Sequence, residues 1–138
     1  LYQLSEKDIK FTFSKKESFY FTNGDEEQLN RVFINLIKNS IESINEKKTK
    51  NVDFKGKIKV DIKADSDYIY VSVTDNGVGF GQVDKVKMLT PYFTTKKKGT
   101  GLGLAIVTKI ISDHNSTILF NSVENGAKIE IAIPKYYD

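Results

Sequence analysis

The sequence predicts a single α/β domain, and three observations carry that expectation. Apolar residues recur at helical spacing from Leu29 to Ile44 and again from Leu104 to Ile111. They alternate with polar residues at strand spacing from Lys57 to Thr74 and from Thr117 to Ile133. With 138 residues and 39% apolar content, the chain is large enough for a core of its own, and its connections are short apart from one glycine-bearing stretch.

Taken in order, Ile9, Phe11 and Phe13 alternate with Lys10, Thr12 and Ser14, and Phe19 to Thr22 follows a polar turn, so two short strands open the chain. Asn23-Gly24-Asp25 breaks the pattern, and Asp25 followed by Gln28 resembles a capping box. The helix it starts carries an inward stripe of Leu29, Val32, Phe33, Leu36, Ile37, Ser40, Ile41 and Ile44, and ends on Glu46-Lys47-Lys48, where cations suit the dipole. Asn35, Asn39 and Glu42 lie at i, i+4 and i+7, on one flank of that stripe. Thr49 to Gly56 reads as a loop. Lys57–Ala64 and Tyr68–Thr74 read as a hairpin turning at Asp65-Ser66-Asp67, and its second strand delivers Asp75 to the sheet's mouth. Asp84 to Leu89 suggests a helical turn ended by Thr90-Pro91. Leu102–Asp113 is a second helix facing inward with Leu104, Val107, Ile110 and Ile111. Thr117–Ser122 and Lys128–Ile133 form a last hairpin through Glu124-Asn125-Gly126, closed by Pro134.

Composition excludes several classes. The net charge of +3 is mild and its basic residues are interleaved with acidic ones, so charge gives no sign of a nucleic-acid partner. Without cysteine there is no disulfide, thiolate metal site or thiol nucleophile, which fits a reducing compartment. No apolar run reaches the length of a spanning helix, and the opening residues are not a signal peptide. The first residue is Leu1, so the chain is expected to be part of a longer protein. His114, the single histidine, stands in a polar turn with no partner for metal or phosphoryl chemistry, and a structural role is expected.

Six of the nine glycines fall between Gly77 and Gly103. A carboxylate at a strand end, two glycine clusters and a helix start just after the second suggest a pocket for a ligand carrying phosphates. Asp75 can accept a hydrogen bond from the exocyclic amino group of adenine, which guanine lacks at that position, and Gly77 and Gly79 let backbone lie against the base. Asn39 offers an amide oxygen to Mg²⁺, and Asn35 one turn back can reach the same phosphates or the metal's waters. Gly99, Gly101 and Gly103 present N–H groups at a helix N-terminus, with Lys96 to Lys98 adding positive charge. The dinucleotide fingerprint, the phosphate loop and the protein-kinase signatures are all missing.

These motifs resemble the histidine-kinase branch of the ATPases that also include gyrase, Hsp90 and MutL. Asn35-Leu-Ile-Lys-Asn39 is similar to the N box and Asp75-Asn-Gly77-Val-Gly79 to the first glycine box. Pro91-Tyr-Phe93-Thr-Thr-Lys96 is similar to the F box and Gly99-Thr100-Gly101-Leu102-Gly103-Leu104 to the second glycine box. The surrounding wording resembles nitrogen-regulation kinases of the NtrY kind. The resemblance implies a two-layer α/β sandwich, a mixed sheet with helices on one face, and a mobile lid from about Phe80 to Gly99. It implies nucleotide contacts along all four boxes, including Phe93, Thr100, Leu102 and Leu104, catalytic roles for Asn35, Asn39 and Lys96, and Asn39 as metal ligand. It further implies ATP and Mg²⁺ as ligands, and transfer of the γ-phosphoryl to a histidine on a dimerisation domain absent from this chain, for relay to a response regulator. The full protein would be a homodimer, this part of it a cytoplasmic domain without membrane or nucleic-acid contact, its parent able to sit in the bacterial inner membrane. Thr90 and His114-Asn115-Ser116 depart from the family's Glu and His-Gly-Gly, outside the nucleotide boxes. Where the gyrase branch has a water-activating Glu, this chain has Asn35, which cannot act as a general base. An anti-sigma serine kinase or an ATP-gated machine is the sibling reading, and Asn35 and the second glycine box count against the machine.

Overall fold

The computed structural model describes residues 9–15, 24–79, 103–123 and 126–135. Its longest element, the helix α1 (Glu26–Lys50), starts where Asp25, in extended conformation, accepts the Gln28 backbone N–H at 3.1 Å. Glu26 and Glu27 in the first turn and Lys47, Lys48 and Lys50 in the last match the helix dipole. The sequence ended this helix at Lys48 and began a loop at Thr49, and the structure carries it two residues further. Thr49 Oγ1 donates to Glu46 O at 2.6 Å and the Asn51 N–H reaches Lys47 O at 3.2 Å, so the polar residues continue the last turn. Val32, Leu36, Ser40 and Ile44 form the buried line.

Five strands make one mixed sheet. They are β1 (Ile9–Lys15), β2 (Gly56–Ala64), β3 (Tyr68–Asp75), β4 (Thr117–Val123) and β5 (Gly126–Pro134), in spatial order β1-β2-β3-β5-β4. β1 runs parallel to β2 and the other pairings are antiparallel. β2 opens at Gly56, which the sequence placed in the loop, and β5 opens at Gly126, two residues before the predicted Lys128, because its pairing with β4 continues to Val123. At the β2–β3 turn, Asp65 Oδ1 accepts the N–H groups of Asp67 and Tyr68 at 2.8 and 2.7 Å. The predicted strand Phe19–Thr22, the turn at Asp84–Leu89, the turn residues Glu124 and Asn125 and nearly all of the lid, from Phe80 onward, lie outside the described residues.

Both helices pack on one face of the sheet. Val32, Leu36 and Ile44 of α1 join Val107, Ile110 and Ile111 of α2 (Gly103–Asp113) over Ile58, Val73, Phe120, Ile129, Ile131 and Ile133. The two-layer sandwich implied by the resemblance is therefore the architecture observed. β3 is the central strand, and the alternation that turns Ile69, Val71 and Val73 inward also turns Asp75 inward.

α2 ends in a Schellman cap: the Ser116 N–H bonds Ile111 O at 3.0 Å, the Asn115 N–H bonds Ser112 O at 3.0 Å, and Asn115 adopts φ 53°. Asn115 suits this position, since Asn tolerates the left-handed region better than other residues with a Cβ. Asn115→Val should cost about 1–2 kcal/mol in urea unfolding, while Asn115→Gly should be neutral or stabilising. Equal loss in both variants would place the cost elsewhere than the backbone.

Candidate functional site

Asp75 sits at the inner end of the central strand, 8% exposed, between Ile58 and Ala127 on the neighbouring strands. Its Oδ1 accepts the Gly77 N–H at 2.9 Å, and the Ser40 hydroxyl donates to the same carboxylate. Burial pushes its pKa above the ordinary aspartate value, and the Gly77 N–H, the Ser40 hydroxyl and the Lys47 ammonium pull against that shift. A carboxylate has more acceptor positions than these donors fill, so it can accept a further N–H.

Three residues of α1, at i, i+3 and i+7, grip the segment that carries it. Ser40 holds the carboxylate, Ser43 Oγ accepts the Val78 N–H at 3.0 Å, and Lys47 Nζ donates to Asn76 O at 3.3 Å while lying 4.7 Å above the Phe54 ring. Asn76 closes the other side: its Oδ1 accepts the Lys57 N–H at 2.7 Å and its Nδ2 donates to Lys55 O at 3.1 Å. Close approach explains the glycines here. A Cβ on Gly77 would lie 2.8 Å from Ile44 N of α1, and Gly79, at φ 73°, would bring one to 2.7 Å from Gly126 O. The side on which each would carry a Cβ is thus occupied by protein.

Ser40, Ser43, Lys47 and Asn76 were missed as site residues. Ser40 had been counted in the apolar stripe, and its hydroxyl in an otherwise aliphatic line was the one available signal.

Asn35 and Asn39 are half-buried on α1, and Asn39 directly precedes Ser40, so one rigid helix carries the predicted phosphate side and the grip on Asp75. α2 packs antiparallel to α1, and a groove of about 380 Å³ lined by Glu27, Asn30, Arg31, Ile34, Asn35 and Ile106 runs between them. Gly103 opens α2 and Leu104 lies in its first turn, beside that end of α1. Phe93, Lys96, Gly99, Thr100, Gly101 and Leu102 lie outside the described residues. Among the described residues no three His, Cys, Asp or Glu side chains form a metal cluster.

Residues 24–137 match the histidine kinase-, DNA gyrase B- and HSP90-like ATPases. The chain belongs to this ATPase family. Among its relatives, sporulation kinase A of Bacillus subtilis is 38% identical over 90% of the chain, and an NtrY-like sensor histidine kinase of Rickettsia conorii is 43% identical over 86%. In each case the chain spans 19% of the relative. The nucleotide-free catalytic domain of the histidine kinase ThkA superposes with a TM-score of 0.79 at 35% identity, covering 93% of this chain and 80% of that one. The expected family and fold are thus borne out, and NtrY-like kinases stand among the relatives beside sporulation kinases.

The raised pKa of Asp75 fixes a sign. A carboxyl whose folded pKa exceeds its unfolded one adds stability only below the unfolded value and loses it as pH rises through the folded value. At neutral pH the ionised Asp75 therefore weakens the fold, and Asp75→Asn should melt no lower than the parent, its advantage growing from acid to neutral pH. The same variant should lose at least about tenfold in ATP affinity by calorimetry, the effect of losing a charge-assisted acceptor. Full affinity in a folded variant would remove Asp75 from base recognition.

Proposed function

We propose that this chain is the ATP- and Mg²⁺-binding catalytic domain of a sensor histidine kinase. It donates the γ-phosphoryl of ATP to a histidine on a separate dimerisation domain of the same parent, for relay to a response regulator. One observation carries the choice of acceptor: the α1 position from which a general base would serve a phosphate-side ligand at Asn39 is Asn35, an amide. Glu27, the carboxylate in the groove beside it, is eight residues away, about 12 Å along the helix, too far to activate water there. Positioning and charge neutralisation are then the domain's contribution, and the nucleophile must come from outside.

Asp75 would take the adenine amino group, while Asn35 and Asn39 would face the phosphates, Asn39 as ligand to the Mg²⁺ that arrives with ATP. The basic Lys96 and the backbone N–H groups from Gly99 to Leu104, with Phe93 nearby, complete the proposed site. That ThkA, a relative at 31% identity in its complex, binds the response regulator TrrA supports the relay. The whole chain forms this one domain of a longer cytoplasmic region, and no helix among the described residues is long and apolar enough to cross a membrane.

Asn39→Ala should lower Mg²⁺-dependent ATP affinity at least about tenfold, leaving metal-free binding nearly unchanged. Equal Mg²⁺ enhancement in variant and parent would refute the ligand role. The chain alone should turn ATP over slowly, and a dimerisation domain from the parent kinase, added in trans, should acquire an acid-labile, base-stable phosphoryl group. Rapid hydrolysis without transfer would make it an ATPase instead.

A further inference from the structure

His114 ends α2 and touches the start of α1. Its Nδ1 lies 2.8 Å from Ile110 O, an acceptor only, so Nδ1 carries the proton. Its Nε2 then has a free lone pair, and the Asp25 backbone N–H donates to it at 3.0 Å. Gly24 makes the approach possible, because a Cβ there would stand 2.8 Å from His114 Cδ2. One imidazole thus joins the C-terminal end of one helix to the N-terminal end of the other, bonded at both nitrogens to backbone.

The position of this joint matters because the helices are antiparallel. α2 has 11 residues and so rises about 16 Å from His114 back to Gly103. The same distance along α1 from Asp25 ends near residue 35. Ile106 meets Ile34 and Asn35 across the groove, as that register requires. We propose that His114 is a positioning residue that pins the register of the two helices, keeping Asn35 opposite the first turn of α2 and Asn39 one turn beyond it.

The charged groups on the elements packed there are Asp25, Glu26 and Glu27 around the start of α1, and Lys109 and Asp113 at the end of α2, these two paired at 3.4 Å. β4, which follows, opens on uncharged Thr117, Ile118 and Leu119. The inference rests on the proposed nucleotide site only for its consequence, since the joint itself is a structural feature.

The test compares the parent with His114→Gln, whose amide oxygen can still accept at the Nε2 position, and His114→Leu, which cannot. Amide exchange at Asp25 reads the joint, and calorimetry with ATP and Mg²⁺ reads the consequence. His114→Leu should expose the Asp25 amide and bind ATP about three- to tenfold more weakly, and His114→Gln should restore both. An Asp25 amide indifferent to His114→Leu, or ATP affinity that stays low in His114→Gln while its Asp25 amide is protected again, would overturn the pin. Absence of ATP binding by the parent would instead sink the proposed function, with the Asp25 amide still reporting the joint.

Discussion

The site depends on a carboxylate buried at the end of the central strand. Asp75 is inward because strand alternation leaves it no choice: the side that holds Ile69, Val71 and Val73 in the core also holds residue 75. An ionised group there is tolerable only if donors surround it. The donors come from Gly77 in the turn that follows and from Ser40 on α1, with the Lys47 charge behind them. The helix must therefore lie against this strand end, and the loop after Asp75 must lie against the helix. Gly77 serves that second demand, because any side chain would separate the loop from the α1 backbone.

A single helix then carries the proposed phosphate-side amides and the grip on Asp75 at a set separation. Asn35 and Asn39 precede Ser40, Ser43 and Lys47 on the same rod, and Val32, Leu36 and Ile44, all fully buried, clamp that rod to the sheet. Sliding α1 to improve one end would damage the other. The placement of the second helix is governed by the apolar contacts of Val107, Ile110 and Ile111 along its length and by the contact of His114 with Asp25 at its far end.

Much of this was legible in the sequence because it was periodic. The stripe along α1, the alternation in β2 and β3 and the cap at Asp25 all follow from local rules, and the structure moves their boundaries by only one or two residues. The pairing of β1 with β2 was not legible, since a parallel neighbour 47 residues away leaves no local mark beyond the alternation of Ile9, Phe11 and Phe13. The grip of Ser40, Ser43 and Lys47 escaped for another reason. A hydroxyl in an apolar stripe has no visible partner until the strand end is placed beside it, and the same holds for His114, whose partners are backbone atoms of another element.

The composition of the α1 face also bears on which chemistry the domain can run. A carboxylate at residue 35 would lie on the same helix flank as Asn39 and one turn from it, close enough to hold both a proton and a metal-bound water in one network. An amide there can orient such a water but cannot take its proton. The carboxylates of the first turn of α1, Glu26 and Glu27, lie eight or more residues from Asn35 along the helix. In the proposed reaction the amide at residue 35 thus disfavours water as the phosphoryl acceptor and favours a nucleophile that brings its own base.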